Sequence, residues 1–281
     1  MKTFVVYHAN CIDGFGAAFS AWKALGDSVE YIPLNHYDPI PKFPRGSTIY
    51  CIDFCFKRHE ILSLIDHSKV IILDHHLSEL EAVKDLIHNF SHPNLEIKFD
   101  LDKSGAILAW EYWHKEAAPD YFAFIEDRDL GRYALKETMD LTAVLMLYPK
   151  DFATWNDLSK QRLLTEGPIF KRLQDQIMRE TLERHHMAFI SGQWVPVVNS
   201  TCFWSDITFE LLKMYPQAPF VAAYYAVDGE RQKWSLRSPK GSNVDVSKIS
   251  KEYGGGGHKH SGGFTSLNHE ISFKEEKKKA A

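Results

Sequence analysis

Four short apolar runs near the start of the chain constrain the fold most. They are "TFVVY" (3–7), "VEYIPL" (29–34), "STIYCIDF" (47–54) and "KVIILDHH" (69–76). Each is rich in β-branched and aromatic residues and predicts a strand. The strands are apolar on both faces, the pattern of a parallel sheet covered on each side. Helical spacing fills the gaps in "GFGAAFSAWKAL" (14–25) and "KRHEILSLID" (57–66), and returns in "SGAILAWEYWHKEA" (104–117). Strand and helix therefore alternate, which predicts an α/β domain with a parallel sheet and helices on both faces.

The texture then changes. Residues 119–190 read as mostly helical, with "FKRLQDQIMRETLERHHMAF" (170–189) as one long amphipathic helix. Beyond it, "WVPVVNS" (194–200), "FVAAYYAVDG" (220–229) and "QKWSLRS" (232–238) read as strands, the last two joined as a hairpin through Asp228-Gly229. The expected domains are 1–190, including a helical linker over about 165–190, and 191–281. A length of 281 residues suits two domains. The tail "FKEEKKKAA" is charged and expected to fray.

The net charge of −4 gives no general attraction for long nucleic acid, but a small anionic substrate needs only local positive charge. The four cysteines, Cys11, Cys51, Cys55 and Cys202, are too few and too uneven for a disulfide framework, and no second pair follows Cys51 and Cys55 to make a zinc ribbon. The first apolar run is too short for a signal peptide and no run reaches membrane-span length. The expectation is a cytoplasmic protein without a membrane partner. Nothing in the sequence sets the oligomeric state, and a homodimer is allowed.

The chemistry gathers where the strands end. The first is followed by His8 and Asp13, the third by Asp53, and the fourth by Asp74, His75 and His76. Carboxyl ends of parallel strands share one rim, where ligands bind. The acidic segment "IEDRDLGR" (125–132) could add Asp127, with Asp129 as the competing residue. A lone Asp after a strand is ordinarily a turn or cap residue. Three strand ends carrying such residues point instead to a metal site of His8, Asp13, Asp53, His75 and Asp127. Imidazole and carboxylate ligands suit Mn²⁺ or another first-row divalent ion. A bridging carboxylate would hold two ions about 3.5–4 Å apart.

A second signal is "YGGGGHKHSGGF" (253–264). Consecutive glycines lose the most backbone entropy on ordering and are useful where backbone must approach a ligand. Gly255, Gly256 and Gly257 ahead of His258 are expected to form an anion nest at a helix start. A flexible linker fits poorly, because the run lies inside the second domain. Upstream, Arg237 on "WSLRS" could grip a phosphate with its planar fork.

"LDHH" on a strand, preceded by the His8/Asp13 segment and an Asp-tipped strand and followed far downstream by "GGGGHKHSGGF", resembles the DHH–DHHA1 phosphoesterases over nearly the whole chain. The resemblance implies a two-domain hydrolase. The first domain would hold two metal ions, usually Mn²⁺. A smaller α/β domain with a mixed sheet would grip a substrate across a cleft. It implies His8 as a ligand of the first ion, Asp13 of the second, Asp53 as the bridge, and His75 and Asp127 as further ligands of the second. His76 would face the scissile phosphate, with Asp74 orienting the histidine pair. Gly255–Gly257, His258, Arg237 and Ser238 would bind substrate phosphate.

The chain departs from the family pattern at Cys11, which stands where the first Asp of the motif is usual. A thiolate favours softer ions than Mn²⁺. Three readings are open: Cys11 ligates and changes metal preference, the first ion is held loosely and recruited with substrate, or the site binds nucleotide without cutting it. The implied reaction is metal-assisted phosphoester hydrolysis of a short linear ribonucleotide such as 5′-pGpG. Polyphosphate or a pAp-type nucleotide is the alternative substrate. Phe203 and Trp204 are candidates for stacking a base, or for ordinary core packing.

Overall fold

The computed structural model describes residues 2–35 and 38–274. The charged tail expected to fray lies, from 275 on, outside the described residues. The chain divides into two compact units, 1–171 and 172–281. The division falls within a helix and ahead of residue 190, because the strand at 186–190 belongs to the second sheet.

The first unit runs β1 (Thr3–His8), α1 (Ile12–Leu25), β2 (Glu30–Leu34), β3 (Thr48–Ile52), α2 (Arg58–Ile65), β4 (Lys69–Asp74), α3 (Leu77–His88), β5 (Leu95–Phe99) and α4 (Gly105–Trp113). It continues with α5 (Phe122–Asp129), α6 (Thr138–Leu145), α7 (Phe152–Asn156) and the start of α8 (Lys160–Leu182). Among the described residues the sheet has five parallel strands in the order β2-β1-β3-β4-β5. Strand order reverses between β1 and β3. The crossovers on either side leave the sheet in opposite directions there, opening a crevice at the carboxyl ends of those two strands.

Both faces of the sheet are covered, as the two-faced apolar strands require. Val5, Tyr7, Ile52, Ile71 and Leu73 pack with Phe15, Phe19, Ala109 and Phe122 from α1, α4 and α5. Val6, Ile49, Cys51, Val70 and Ile72 alternate to the other face and meet Ile61, Ile65, Val83 and Leu86 from α2 and α3. Strand β5, not anticipated from sequence, is a half-exposed edge in which Glu96 and Lys98 alternate with the partly buried Leu95, Ile97 and Phe99.

The second unit holds the end of α8, then β6 (His186–Ile190), β7 (Gln193–Asn199), α9 (Trp204–Met214), β8 (Val221–Ala226), β9 (Arg231–Arg237), α10 (Val246–Glu252), β10 (Gly256–His258), β11 (Ser261–Leu267) and β12 (Ser272–Phe273). Among the described residues its sheet order is β10-β11-β9-β8-β7-β6-β12. The β7–β8 pair is parallel and the other pairs are antiparallel, so the sheet is mixed. Helix α9 covers one face through Ile207 and Leu211 against Val198, Val221 and Ala223, joined by Met178 of α8. Helix α10 covers the other, where Val246 packs with Trp234, Leu236 and Phe264.

The helix expected over 170–189 stops at Leu182. The segment "HMAFI" forms β6 instead, burying Ala188 and Ile190 while Phe189 points outward. Period-two burial and pairing with β7 override the helical propensity of this stretch. Asp228-Gly229 does lie in the connection between the antiparallel β8 and β9. Among the described residues no helix is long and apolar enough to cross a membrane.

Trp234 anchors the second core. It is almost fully buried, its ring stacks on Tyr224, and its Nε1 donates to Ser266 Oγ at 3.0 Å. Trp234→Ala should lower the unfolding free energy by about 3–5 kcal/mol, measured by denaturant titration. A loss below about 1 kcal/mol would mean that the core is not organised around it.

Candidate functional site

The residues singled out at the strand ends do converge. Chain geometry places them. Asp53 follows β3 in the left-handed region, with φ of 50°, and its N–H still donates to Leu73 O at 2.9 Å. Asn10 adopts φ of 60° just before α1. Two non-glycine residues in this conformation beside one crevice mark local backbone strain held by the surrounding fold. Cys11 is the N-cap of α1, its Sγ accepting from Asp13 N at 3.3 Å.

His75 lies at the centre. Its Nε2 is 3.0 Å from Asp53 Oδ1, 3.4 Å from Asp129 Oδ2 and 3.5 Å from Asp13 Oδ2. Asp13, Asp53 and Asp74 are essentially fully buried. His8 Nδ1 approaches Asp53 Oδ2 to 3.7 Å. That oxygen is buried and lacks a hydrogen-bond partner, as does Asp74 Oδ2. Among the described residues the ligand-type atoms fall into three sets, each within 4.8 Å: Asp53, Asp74, His75 and His76; His8, Cys11 and Asp53; Asp13, His75 and Asp129.

The electrostatics follow from this crowding. Burial and the charges of Asp53 and Asp129 push the Asp13 carboxyl well above its usual range. Asp129 is raised by burial and Asp53 in the same way. Burial would also raise Asp53, but the hydrogen bond from His75 and the approach of His8 outweigh it and hold the group low. For His76, burial works downward, while the hydrogen bond and charge of Asp74, aided by Asp53 and Asp129, win and push it up to about 9. Burial, then the charges of Asp53 and Asp13, push the Cys11 thiol up to about 12.

The donor set fits divalent metal. Buried carboxylates that repel one another, with imidazoles between them and a carboxylate oxygen left unpaired, need a compact positive charge. His8, Asp13, Asp53, His75 and Asp129 are the residues that could hold it.

Asp74 and His76 have a different arrangement. Asp74 Oδ1 accepts from His76 Nδ1 at 2.7 Å, from His75 N at 2.7 Å and from His76 N at 3.3 Å. One carboxylate oxygen therefore orients the histidine pair and fixes a proton on His76 Nδ1.

Asp127 requires a correction. It lies outside the cluster, and its carboxylate is consumed by the following turn. It accepts from Ala134 N at 2.8 Å, from Leu135 N at 3.0 Å and from Thr138 Oγ1. Asp129 stands in the cluster instead.

Two features escaped the sequence reading. Asp13 also accepts from Gly105 N at 2.6 Å and Ala106 N at 2.9 Å, so it caps the start of α4. Gly105 is packed so tightly that a Cβ there would come within 2.4 Å of Asp53 Cβ. Ser104, the N-cap of α4, was the available signal.

The second unit contributes a cleft of about 570 Å³. Arg237, Ser238 and His258 line it, together with Lys213, Lys240, Lys259 and His260, and with Phe209, Leu212 and Pro216 as an apolar wall. Arg237 is braced from α9, its Nε donating to Thr208 Oγ1 at 3.1 Å and its Nη2 to Ser205 Oγ at 2.7 Å. Ser238 is buried, and its hydroxyl bonds Val244 O at 3.1 Å and His260 Nδ1 at 2.9 Å.

The glycine run is not at a helix start. It follows α10 and enters the β10–β11 hairpin, with Gly256 opposite Gly263 and Gly257 opposite Gly262. Gly255 N donates to Ser250 O at 2.8 Å. Gly257 has φ of 137°, and a Cβ there would strike Ser261 O. Gly255, Gly256 and Gly257 thus build the hairpin that carries His258 to the cleft and do not line it. Phe203 packs in the α9 core, and Trp204 sits 4.7 Å from the Tyr225 ring with Lys233 over it.

The exchange of Asp127 for Asp129 can be tested directly. Asp127→Ala should cost about 2–4 kcal/mol of stability, since it strands donors of the turn, yet leave Mn²⁺ stoichiometry by calorimetry unchanged. Asp129→Ala should weaken Mn²⁺ binding with little loss of stability. Gly105→Ala should weaken binding as well, through displacement of Asp53. The reverse pattern for the two aspartates would return Asp127 to the site.

No family model matches the chain. It is 29% identical over 286 residues to the uncharacterized protein R106 of Acanthamoeba polyphaga mimivirus, covering 92% of this chain and 66% of that protein. The chain thus spans just under two thirds of that relative's length. The solved structure of the pGpG-specific phosphodiesterase PggH from Vibrio cholerae superposes with a TM-score of 0.55 at 14% identity, covering 96% of this chain and 95% of that one. RecJ from Thermus thermophilus, solved in complex with Mn²⁺, gives a TM-score of 0.47 at 14% identity over 96% of this chain and 50% of that one, a likeness too weak to bear on fold or function. With a five-stranded parallel sheet in which β4 runs into Asp74-His75-His76 and a separate mixed sheet carrying "GGGGHKHSGGF", the chain shares the fold of the pGpG-specific phosphodiesterase PggH.

Proposed function

We propose that the chain is a metal-dependent phosphodiesterase that hydrolyses short linear ribonucleotides, with 5′-pGpG as the substrate of choice, to mononucleotides. The observation that carries this reading is the crowd of carboxylates around the buried His75, two of them buried as well, with Asp53 Oδ2 left without a hydrogen-bond partner. His8, Asp13, Asp53, His75 and Asp129 would hold the ions, and Mn²⁺ suits their nitrogen and oxygen donors. Bound there, divalent ions supply a water of lowered pKa and a positive charge for the phosphoryl oxygens.

The remaining roles fall to the chain itself. With its Nδ1 proton held by Asp74, whose hydrogen bond and charge push the imidazole upward, His76 favours the imidazolium form. Its Nε2 proton is suited to the oxygen that leaves as the phosphodiester breaks. Arg237, His258 and Lys213 give the second unit's cleft positive and hydrogen-bonding groups for a phosphate. Phe209, Leu212 and Pro216 offer an apolar wall to a base. A cleft lined by both basic and apolar side chains favours a nucleotide over a bare phosphate chain. The pGpG specificity of the fold neighbour supports the choice of substrate.

The cations Lys213, Arg237, Lys240 and Lys259 in that cleft also suit polyphosphate, which is the second reading. A turnover screen with Mn²⁺ over pGpG, other dinucleotides, pAp, polyphosphate and cyclic dinucleotides decides between them. The expected result is consumption of one water per pGpG with release of two GMP. Asp53→Asn should lower kcat by about a thousandfold or more. Arg237→Ala should raise KM with kcat largely retained. Phe209→Ala should raise KM for the dinucleotide and not for polyphosphate. Turnover of polyphosphate alone, indifferent to Phe209, would replace the first reading with the second.

A further inference from the structure

Cys11 has an address that neither packing nor capping explains. Cys51 and Cys55 are buried in the apolar cluster between the sheet and α2. Cys11 is only half-buried and lies outside the apolar core clusters of the first unit. As the N-cap of α1 it accepts from Asp13 N at 3.3 Å. Sulfur is a weak acceptor, and serine or aspartate would cap this helix better.

The thiol does have partners of another kind. Its Sγ, a ring nitrogen of His8 and a carboxylate oxygen of Asp53 all lie within 4.8 Å of one another. Asp53 is 1% exposed, and its Oδ2, 3.7 Å from His8 Nδ1, is buried with no hydrogen-bond partner. An unpaired buried carboxylate oxygen beside an imidazole and a thiol calls for a cation. The backbone holds this group in place from two directions. Cys11 is tied to the first turn of α1, and Asp53 to the left-handed turn after β3. They meet at the β1/β3 switch point of the sheet.

We propose that Cys11 Sγ, His8 and Asp53 form a mixed sulfur, nitrogen and oxygen site for a thiophilic divalent ion such as Zn²⁺, Fe²⁺ or Co²⁺. This deepens, and rests on, the metal-dependent reading of the same cluster. The consequence is an asymmetric pair of sites on either side of Asp53, whose Oδ2 faces His8 and whose Oδ1 faces His75. Asp13, His75 and Asp129 offer only nitrogen and oxygen and suit the harder Mn²⁺ or Mg²⁺, whereas the Cys11 side discriminates against them. Binding takes the thiol proton to solvent and leaves the sulfur as thiolate.

Co²⁺ reports both the ion and its ligands. The full chain carrying Cys202→Ser, which removes the exposed thiol, is titrated with Co²⁺ and followed by absorption. The expected result is visible cobalt bands together with a near-ultraviolet sulfur-to-cobalt charge-transfer band. Cys11→Ser keeps a capping oxygen, so α1 is preserved; it should lose the charge-transfer band while retaining visible cobalt absorption. Cys11→Asp should lower the ratio of Zn²⁺ to Mn²⁺ affinity by about tenfold or more. Visible cobalt bands without the charge-transfer band, or a charge-transfer band that survives in Cys11→Ser, would overturn the sulfur ligand and leave the metal reading standing. Absence of any cobalt spectrum would overturn both.

Discussion

Repulsion among buried carboxylates is the constraint around which the first unit is organised. Asp13, Asp53 and Asp74 are buried, the more exposed Asp129 joins them from a fourth segment, and the group would destabilise the fold if left to itself. The protein answers with geometry. Asp74 is neutralised locally by His76 and by the backbone N–H groups of the histidine pair. Asp13 leans on the positive end of α4. Asp53, at the reversal of strand order, is answered by imidazoles. Charge that the fold itself does not cancel is thereby concentrated at one point, where a ligand ion contributes most.

The second unit handles charge in the opposite sense. Cations gather along the ends of β9 and β10 and on α9, and Arg237 is held by two hydroxyls of that helix. Thr208 and Ser205 accept from the guanidinium with their hydroxyls and so fix its direction. The buried Ser238 hydroxyl likewise orients the His260 ring through its Nδ1.

How much of this could be read in the sequence depends on the kind of signal. The buried strands were legible because they are apolar on both faces and short, and the strand-end residues were legible because parallel topology brings such ends together. The aspartate choice in "IEDRDLGR" was not. Residues 127 and 129 are two apart on α5, roughly 200° around a helix, so they face nearly opposite ways and only packing decides which one meets His75. The overrun of α8 into β6 has a similar origin: "RHHMAF" continues the helical pattern, and pairing with β7 ends it. The glycine run read as an anion nest at a helix start, whereas the close approach it permits is to the backbone of β11. The basic residues of the cleft carried no local mark, since they are spread over α9, β9 and the hairpin.

Asp13 has one carboxylate and two allegiances. It terminates the hydrogen-bond ladder of α4 through Gly105 and Ala106, and its Oδ2 also faces His75. The first turn of α4 is therefore electrically in series with the cluster. Any cation that draws on the lone pairs of Asp13 loosens its hold on those two amides, and any proton it takes up does the same. Their rates of exchange with solvent deuterium become a built-in gauge of charge at the site, readable without substrate and without catalysis.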